Sequence, residues 1–495
     1  MIIMNSTKEK LSVYVSYLFM GLYCSWLIWM LINNAFVISS PFPIEYREGH
    51  SISSTYLLLK GISPYTLDTY PEYYNSYGIL NNLLVLPFAW IFGNSLILHR
   101  VINELCIILA ILLVVFYKRK PTNWSLLLAG VCSFYLFYHI NTNISVRPDG
   151  LGVLLYISSI VVVLRNEFSK KSIFICGILS ILAFFTKPYF ILGWYLISFV
   201  LLFKDWKLFM ISNTIFHLLF IITCVGVNVI FPLYFYETIF AYSSSVGDMH
   251  YSLNQMILSI KRSLPLIVAI GVFISIGLWR KNYNNIKCIW EWIVIIFAIS
   301  ILLLYPLGTN DGAYLTYHTQ LLAPILLAMM IDILKEDSVQ SIWVQTLILL
   351  CCVYAYVKVP MMHKAKVNGW EKLEKYVDCS ENCYNDPGIA PLLIFKDKPV
   401  IDDGVSVFVY EFEPRPLTQF LFGKDSLLLE KKNAYINSLE ENIREQKYDY
   451  AIVLQEQSAR FSDYELVDSV NIVFPCNWSR TYYVCRKSKQ IRSSL

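Results

Sequence analysis

About 20 mostly apolar residues are enough to cross a bilayer as a helix, and this chain contains such a stretch many times over. Apolar runs lie near 11–33, 97–117, 208–230, 264–279, 288–305, 315–333 and 341–358. Two longer regions, 124–164 and 173–203, each have room for a helical pair, interrupted by Asn141–Asp149 and by Thr186-Lys187-Pro188. The pattern predicts eleven spans. The first run is too long for a cleaved signal peptide, and no small-x-small site follows it.

Charge marks where the membrane part ends. Only 15% of the 495 residues are charged and 56% are hydrophobic, against about 25% charged in a soluble domain. This excludes a purely cytosolic enzyme, and so hydrophobic a chain is not intrinsically disordered. Residues 1–359 hold 38 of the 76 charged side chains and residues 360–495 hold the other 38, so the tail is far denser in charge. No dense basic face of the kind that binds nucleic acid is present. The expected architecture is a polytopic α-helical membrane protein, residues 1–358, followed by a small soluble α/β domain, residues 359–495.

Sidedness follows from the excess of Lys and Arg in cytoplasmic loops. With the N-terminus inside, the inner loops carry Lys118-Arg119-Lys120, Arg165/Lys170/Lys171, Lys204/Lys207, Arg280/Lys281/Lys287 and Lys335. Eleven spans then put the tail outside the cytoplasmic membrane. Four cysteines lie in that tail, Cys379, Cys383, Cys476 and Cys485, and an oxidising compartment permits disulfides among them. Cys-x3-Cys and Cys-x8-Cys without supporting histidines make a poor zinc pattern. In the tail, Trp370–Val377 and Leu427–Lys447 read as helices, with Leu428, Ala434, Ile436, Leu439 and Ile443 as candidate apolar positions of the second. Segments 391–395, 450–454, 465–474 and 481–485 read as strands. The tail has no phosphate-binding glycine loop and no nucleophile elbow, so it is expected to cap the active face or contact the acceptor. Asp402-Asp403-Gly404 reads as a turn.

Polar residues gather on the predicted outer face. The loop 34–96 is too long for a connector. Ser51–Leu59 reads as a short helix lying along the membrane and stopped by Gly61, with a second helix bracketed by Gly78 and Pro87. Seven tyrosines between 46 and 77 suit either an interfacial aromatic belt or a surface for sugar rings and an isoprenoid chain. Glu45 and Glu48 follow the first span, and Asp149 follows Arg147-Pro148. Ionisable groups at membrane depth are functional candidates; the plain alternative is a structural ion pair, Arg147 with Asp149 or Arg47 with Glu48. Lys187 sits among apolar neighbours, and Asp311 precedes a helix carrying His318 and Gln320. His318 alone reads more readily as a packed, satisfied side chain than as a catalyst.

Outside the cytoplasm no nucleotide pool exists, so a transferase there needs a lipid-linked donor. Such transfer calls for a carboxylate to take the proton of the attacking hydroxyl. It also calls for cations to neutralise the departing phosphate and a groove beside the bilayer for the isoprenoid. Glu48, Arg147, Lys187 and the long loop supply these on one face.

At these residues the chain resembles the GT-C membrane glycosyltransferases, in the bacterial branch near glycosyltransferase family 39. The resemblance rests on Arg47-Glu48-Gly49, Leu59-Lys60-Gly61-Ile62-Ser63-Pro64-Tyr65, Tyr77-Gly78, Phe92-Gly93 with His99-Arg100, and Arg147-Pro148-Asp149. Phe185-Thr186-Lys187-Pro188 and Gln320-Leu321-Leu322-Ala323-Pro324 extend it. It implies a monosaccharide donor on polyprenyl phosphate and an acidic base in the first outer loop. That base falls on Glu48, with Glu45 in reserve and Asp149 as the second acidic position, orienting acceptor or base. Lys187, Arg147, Arg47 and Arg100 would serve the donor phosphate, and Tyr65, Tyr77, Asp311, His318 and Gln320 the substrates. No metal-ligand set is recognised and no cofactor is expected, a divalent cation being optional. The partners implied are the lipid donor, a glycan or glycolipid acceptor and membrane lipid. Two alternatives stand beside this reading. A transporter or flippase for lipid-linked glycans would place ionisable groups near span centres. An O-antigen polymerase or ligase would carry one very large late outer loop, whereas loops 231–262 and 306–314 are modest.

Overall fold

A computed structural model describes residues 2–44, 48–116, 146–240, 367–401, 426–474 and 479–488, with single positions between 253 and 271. Eight α-helices form the described membrane part: α1 Ile2–Ile38, α2 Glu48–Leu59, α3 Leu80–Phe92, α4 Leu96–Val115, α5 Asp149–Arg165, α6 Lys170–Phe184, α7 Leu192–Lys204 and α8 Trp206–Ile230. Within them, α4 and α8 are long and apolar enough to cross a membrane. The apolar runs at 264–279 (Gly271 apart), 288–305, 315–333 and 341–358, and the first half of 124–164, lie outside the described residues.

Local chemistry sets the helix ends. Ser95, Ser169 and Asp205 cap α4, α6 and α8 by accepting from backbone N–H groups of the first turn, which satisfies donors a helix start leaves orphaned. The break at Thr186-Lys187 separates α6 from a 3-10 turn, Pro188–Ile191, that runs directly into α7. One region read as a helical pair is therefore two helices hinged at Lys187.

Both helices expected in the outer loop are present. The helix expected along the membrane surface is α2, and it is buried from Glu48 to Thr55. Of its polar residues, Ser54 accepts from Asn75 and Thr55 from Asn82. The second helix does not end at Pro87: α3 continues to Phe92 and stops at Gly93, whose φ of 83° suits glycine.

The tail adds α9 Val367–Cys379, β1 Cys383–Asn385, α10 Ala390–Phe395, α11 Ser426–Arg444, β2 Tyr450–Leu454, β3 Glu465–Val473 and β4 Ser479–Arg486. The strands lie in the order β1-β2-β4-β3, with β1 parallel to β2 and the other pairs antiparallel. Alternation builds a core on each face. Ile452, Val484 and Tyr482 pack with Trp370, Leu373 and Leu393 on one side. Ala451, Val453 and Cys485 pack with Ile443, Tyr448 and Phe461 on the other. In α11, Leu428, Leu439 and Ile443 are buried while Ala434 is exposed.

The segment 391–395, expected as a strand, is the helix α10. A short continuous apolar run does not separate strand from helix by periodicity, and Pro391 in the first turn favours the helix. The expected disulfides are absent among the described cysteines: Cys379, Cys383 and Cys485 are free. Cys383 and Cys485 lie two strands apart and on opposite faces of the sheet, which is too far for a bridge. Cys476 and Asp402-Asp403-Gly404 fall outside the described residues.

The tail is seated on loop 34–96. Trp370 stacks on Phe42 with ring centroids 5.8 Å apart, within a core that also takes in Ile52, Leu96 and Val146. Asp397 accepts from the Tyr56 hydroxyl and pairs with Lys60 at the end of α2. Lys431 donates to the Leu67 carbonyl.

Candidate active site

Two buried carboxylate–cation pairs lie among the described helices. The first joins Glu48, at the start of α2, to Arg100 on α4, and both side chains are fully buried. Arg100 Nε donates to Glu48 Oε1 at 3.0 Å and Nη2 to Oε2 at 2.7 Å. The backbone N–H groups of Ile44 and Val146 fill the remaining positions, at 2.7 Å to Oε2 and 3.2 Å to Oε1. Arg100 also donates to the carbonyls of Ser40 (2.7 Å), Phe42 (2.9 Å) and Val37 (3.5 Å). One guanidinium thus gathers the C-terminal carbonyls of α1, the next turn and the α2 carboxylate. Every lone-pair position of Glu48 is taken.

The second pair is built where α5 begins. Asp149 Oδ1 accepts from Lys187 Nζ, which stands at the α6–α7 hinge, and from the Tyr189 hydroxyl at 3.2 Å. The ammonium lies 4.8 Å from the Tyr77 ring centroid and 5.9 Å from that of Tyr189, distances that favour a cation over an aromatic face. Arg147, two residues before Asp149, is also buried.

Small residues bring these elements together. The Gly78 N–H donates to the Thr186 carbonyl at 2.9 Å. A Cβ on Gly78 would sit 2.0 Å from the Phe185 carbonyl oxygen, so only glycine lets Tyr77 reach Lys187. Asn103 on α4 accepts from the Gly150 N–H at 2.7 Å. This holds the start of α5 one helical turn from Arg100.

The other sequence-derived positions divide. Tyr65 is fully buried, donates its hydroxyl to the Tyr77 carbonyl at 2.6 Å, and packs on Tyr234. It stands behind the site and supports the Tyr77 backbone. Glu45, Arg47, Asp311, His318 and Gln320 lie outside the described residues. Sequence reasoning passed over His50, Asn75, Asn103, Tyr189 and Glu237. His50 Nε2 accepts from the Ser76 N–H at 2.9 Å, and its ring meets Tyr77 edge-on. Asn75 accepts from the Tyr77 N–H at 2.9 Å and donates its own N–H to Glu237 Oε2 at 2.9 Å. Glu237 was legible as a lone carboxylate within an apolar, aromatic segment; the polar amides carried no comparable signal. Among the described residues no group of three His, Cys, Asp or Glu side chains is placed to hold a metal ion.

No family model matches the chain, and no curated protein matches it. Solved structures do. ArnT from Cupriavidus metallidurans in the apo state aligns over 94% of this chain and 98% of its own, with a TM-score of 0.58 at 10% identity. ArnT from the same organism bound to undecaprenyl phosphate aligns over 93% and 98%, with a TM-score of 0.52 at 11% identity. The likeness is one of fold: at this identity the chain shares the fold of ArnT.

Proposed function

We propose that this protein is a membrane glycosyltransferase that moves one monosaccharide from a polyprenyl-phosphate donor to an envelope glycan or lipid. The transfer takes place on the outer side of the cytoplasmic membrane. The observation that carries the reading is the fold likeness over almost the whole chain, together with a neighbour solved with undecaprenyl phosphate. The Asp149–Lys187 pair supplies the chemistry such a transfer needs. Lys187 carries a compact charge on a flexible stem, able to turn between Asp149 and a phosphate oxygen. Asp149 then takes the proton of the acceptor hydroxyl, and Lys187 with Arg147 meets the negative charge growing on the leaving phosphate. Tyr77 and Tyr189 wall the site with rings suited to a sugar face.

Glu48 takes a different role from the base that family resemblance suggested. Its acceptor positions are filled, so in our reading Glu48 and Arg100 hold the geometry and Asp149 acts on the substrate. The tail caps this face from outside.

Purified protein in lipid, offered radiolabelled polyprenyl phosphate sugars with crude envelope acceptors, tests the reaction class. Consumption of one donor with label passing to the acceptor is expected. No consumption across a broad donor set would contradict the transferase and favour a carrier.

A further inference from the structure

Two buried polar atoms one turn below Arg100 have no partner among the described residues, and they belong to side chains that already touch. Asn34 near the end of α1 donates its Nδ2 to Glu104 Oε1 at 3.0 Å. Both residues are buried, at 1% and 6% exposure. Among the described residues, Asn34 Oδ1 and Glu104 Oε2 are left without a hydrogen bond. Glu104 is the ninth of the twenty residues of α4, a helix of membrane-spanning length and hydropathy.

An ionised carboxylate brings acceptors and no donor, so the pair would hold one donor group against three oxygens. Exchanging the amide oxygen and nitrogen of Asn34 leaves that count unchanged. A neutral carboxylic acid changes it, because its O–H is the donor that the amide oxygen lacks. The charge balance points the same way. On the described helices packed against α4, the charged side chains are Lys8, Glu9 and Lys10 at the far end of α1, Glu48 on α2, and Asp149 and Arg165 on α5; His50 on α2 is the one histidine among them. Within α4 itself, Arg100 is committed to Glu48 and three carbonyls, and His99 to Asn94. No cation among the described residues forms an ion pair with Glu104, and an unpaired charge at membrane depth is costly.

We propose that Glu104 is a proton-binding site: a neutral carboxylic acid joined to Asn34 by a hydrogen bond in each direction. Asn34 Nδ2–H donates to Oε1, and Oε2–H donates to Asn34 Oδ1. The bound proton clamps the end of α1 to α4, directly beneath the carbonyls of Val37, Ser40 and Phe42 that Arg100 gathers. Glu104 is then a positioning residue for that junction, and the inference stands whatever the protein transfers.

Infrared spectroscopy of the full chain in lipid tests this at neutral pH. A carbonyl band of a protonated, hydrogen-bonded carboxyl is expected in the wild type and is lost in Glu104→Gln. That variant should keep its thermal stability, because Gln and Asn amides can pair in the same two directions. Should Glu104→Gln fail to fold, Asn34→Val provides the second reading: the band should move to the higher frequency of an acid lacking its partner. A wild type without the band, or a band indifferent to both substitutions, would overturn the proposal.

Discussion

The two carboxylate–cation pairs share burial and differ in how their partners are held. Glu48–Arg100 is bidentate, and backbone N–H groups and carbonyls complete both partners. Asp149–Lys187 meets through one oxygen, and the ammonium also looks onto two tyrosine rings. Arg offers a rigid fork that suits permanent architecture, whereas Lys is a compact charge on a flexible stem that can turn between partners. The contrast teaches that burial and charge alone do not mark a reacting carboxylate. In our reading, what marks it is a cation on a flexible stem that can turn toward a substrate.

That comparison can be broken in several places. The largest effect is expected on transfer in Asp149→Asn, which keeps the shape of the side chain and removes the base. Activity should fall by about 100- to 10,000-fold, the usual worth of a general base, while the protein melts near the wild-type temperature. Glu48→Gln should act on stability instead. Removing one partner of a buried pair costs about 3–5 kcal/mol, read as a lower melting temperature and a smaller folded yield. Lys187→Met retains the stem and loses the charge. Donor affinity should weaken by about 10- to 100-fold, matching the roughly 1.5–3 kcal/mol of a hydrogen bond to a charged group, as measured by titration with polyprenyl phosphate.

The smallest effect belongs to the tail contact at Asp397, where both partners are solvent-exposed. Hydrogen bonds from Tyr56 and Lys60 hold the Asp397 carboxyl below its ordinary range. A carboxyl with a depressed folded value stabilises the folded state above its unfolded pKa, and that contribution fades as pH falls through the folded value. Asp397→Asn should therefore leave transfer near wild type at neutral pH. Limited proteolysis should find the tail loosened by acid in the wild type, with less change in the variant.

Much of this was legible in the sequence where one physical requirement dominated. Apolar runs marked the described helices α4 and α8, and the strands read at 450–454, 465–474 and 481–485 lie in the sheet of the tail. Arg147-Pro148-Asp149 and Thr186-Lys187-Pro188 were recognised as ionisable groups among apolar neighbours, and Asp149 and Lys187 meet. Partnership was not legible. Arg47 was paired with Glu48 only in the alternative of a structural ion pair, and Arg47 lies outside the described residues; Arg100, 52 residues away, pairs with Glu48. Sequence spacing shows which residues share a helix face, not which helices pack together. For the same reason Tyr65, read as a substrate contact, proved to support the backbone of Tyr77, and 391–395 proved helical.

The most direct test of the account compares Glu48→Gln and Asp149→Asn side by side in lipid, with transfer expressed per folded molecule. The account predicts a split: Glu48→Gln loses folded protein while the surviving fraction keeps most of its transfer, and Asp149→Asn folds normally without transferring. A Glu48→Gln protein that melts like the wild type yet transfers nothing, beside an active Asp149→Asn, would contradict it and return the base to Glu48.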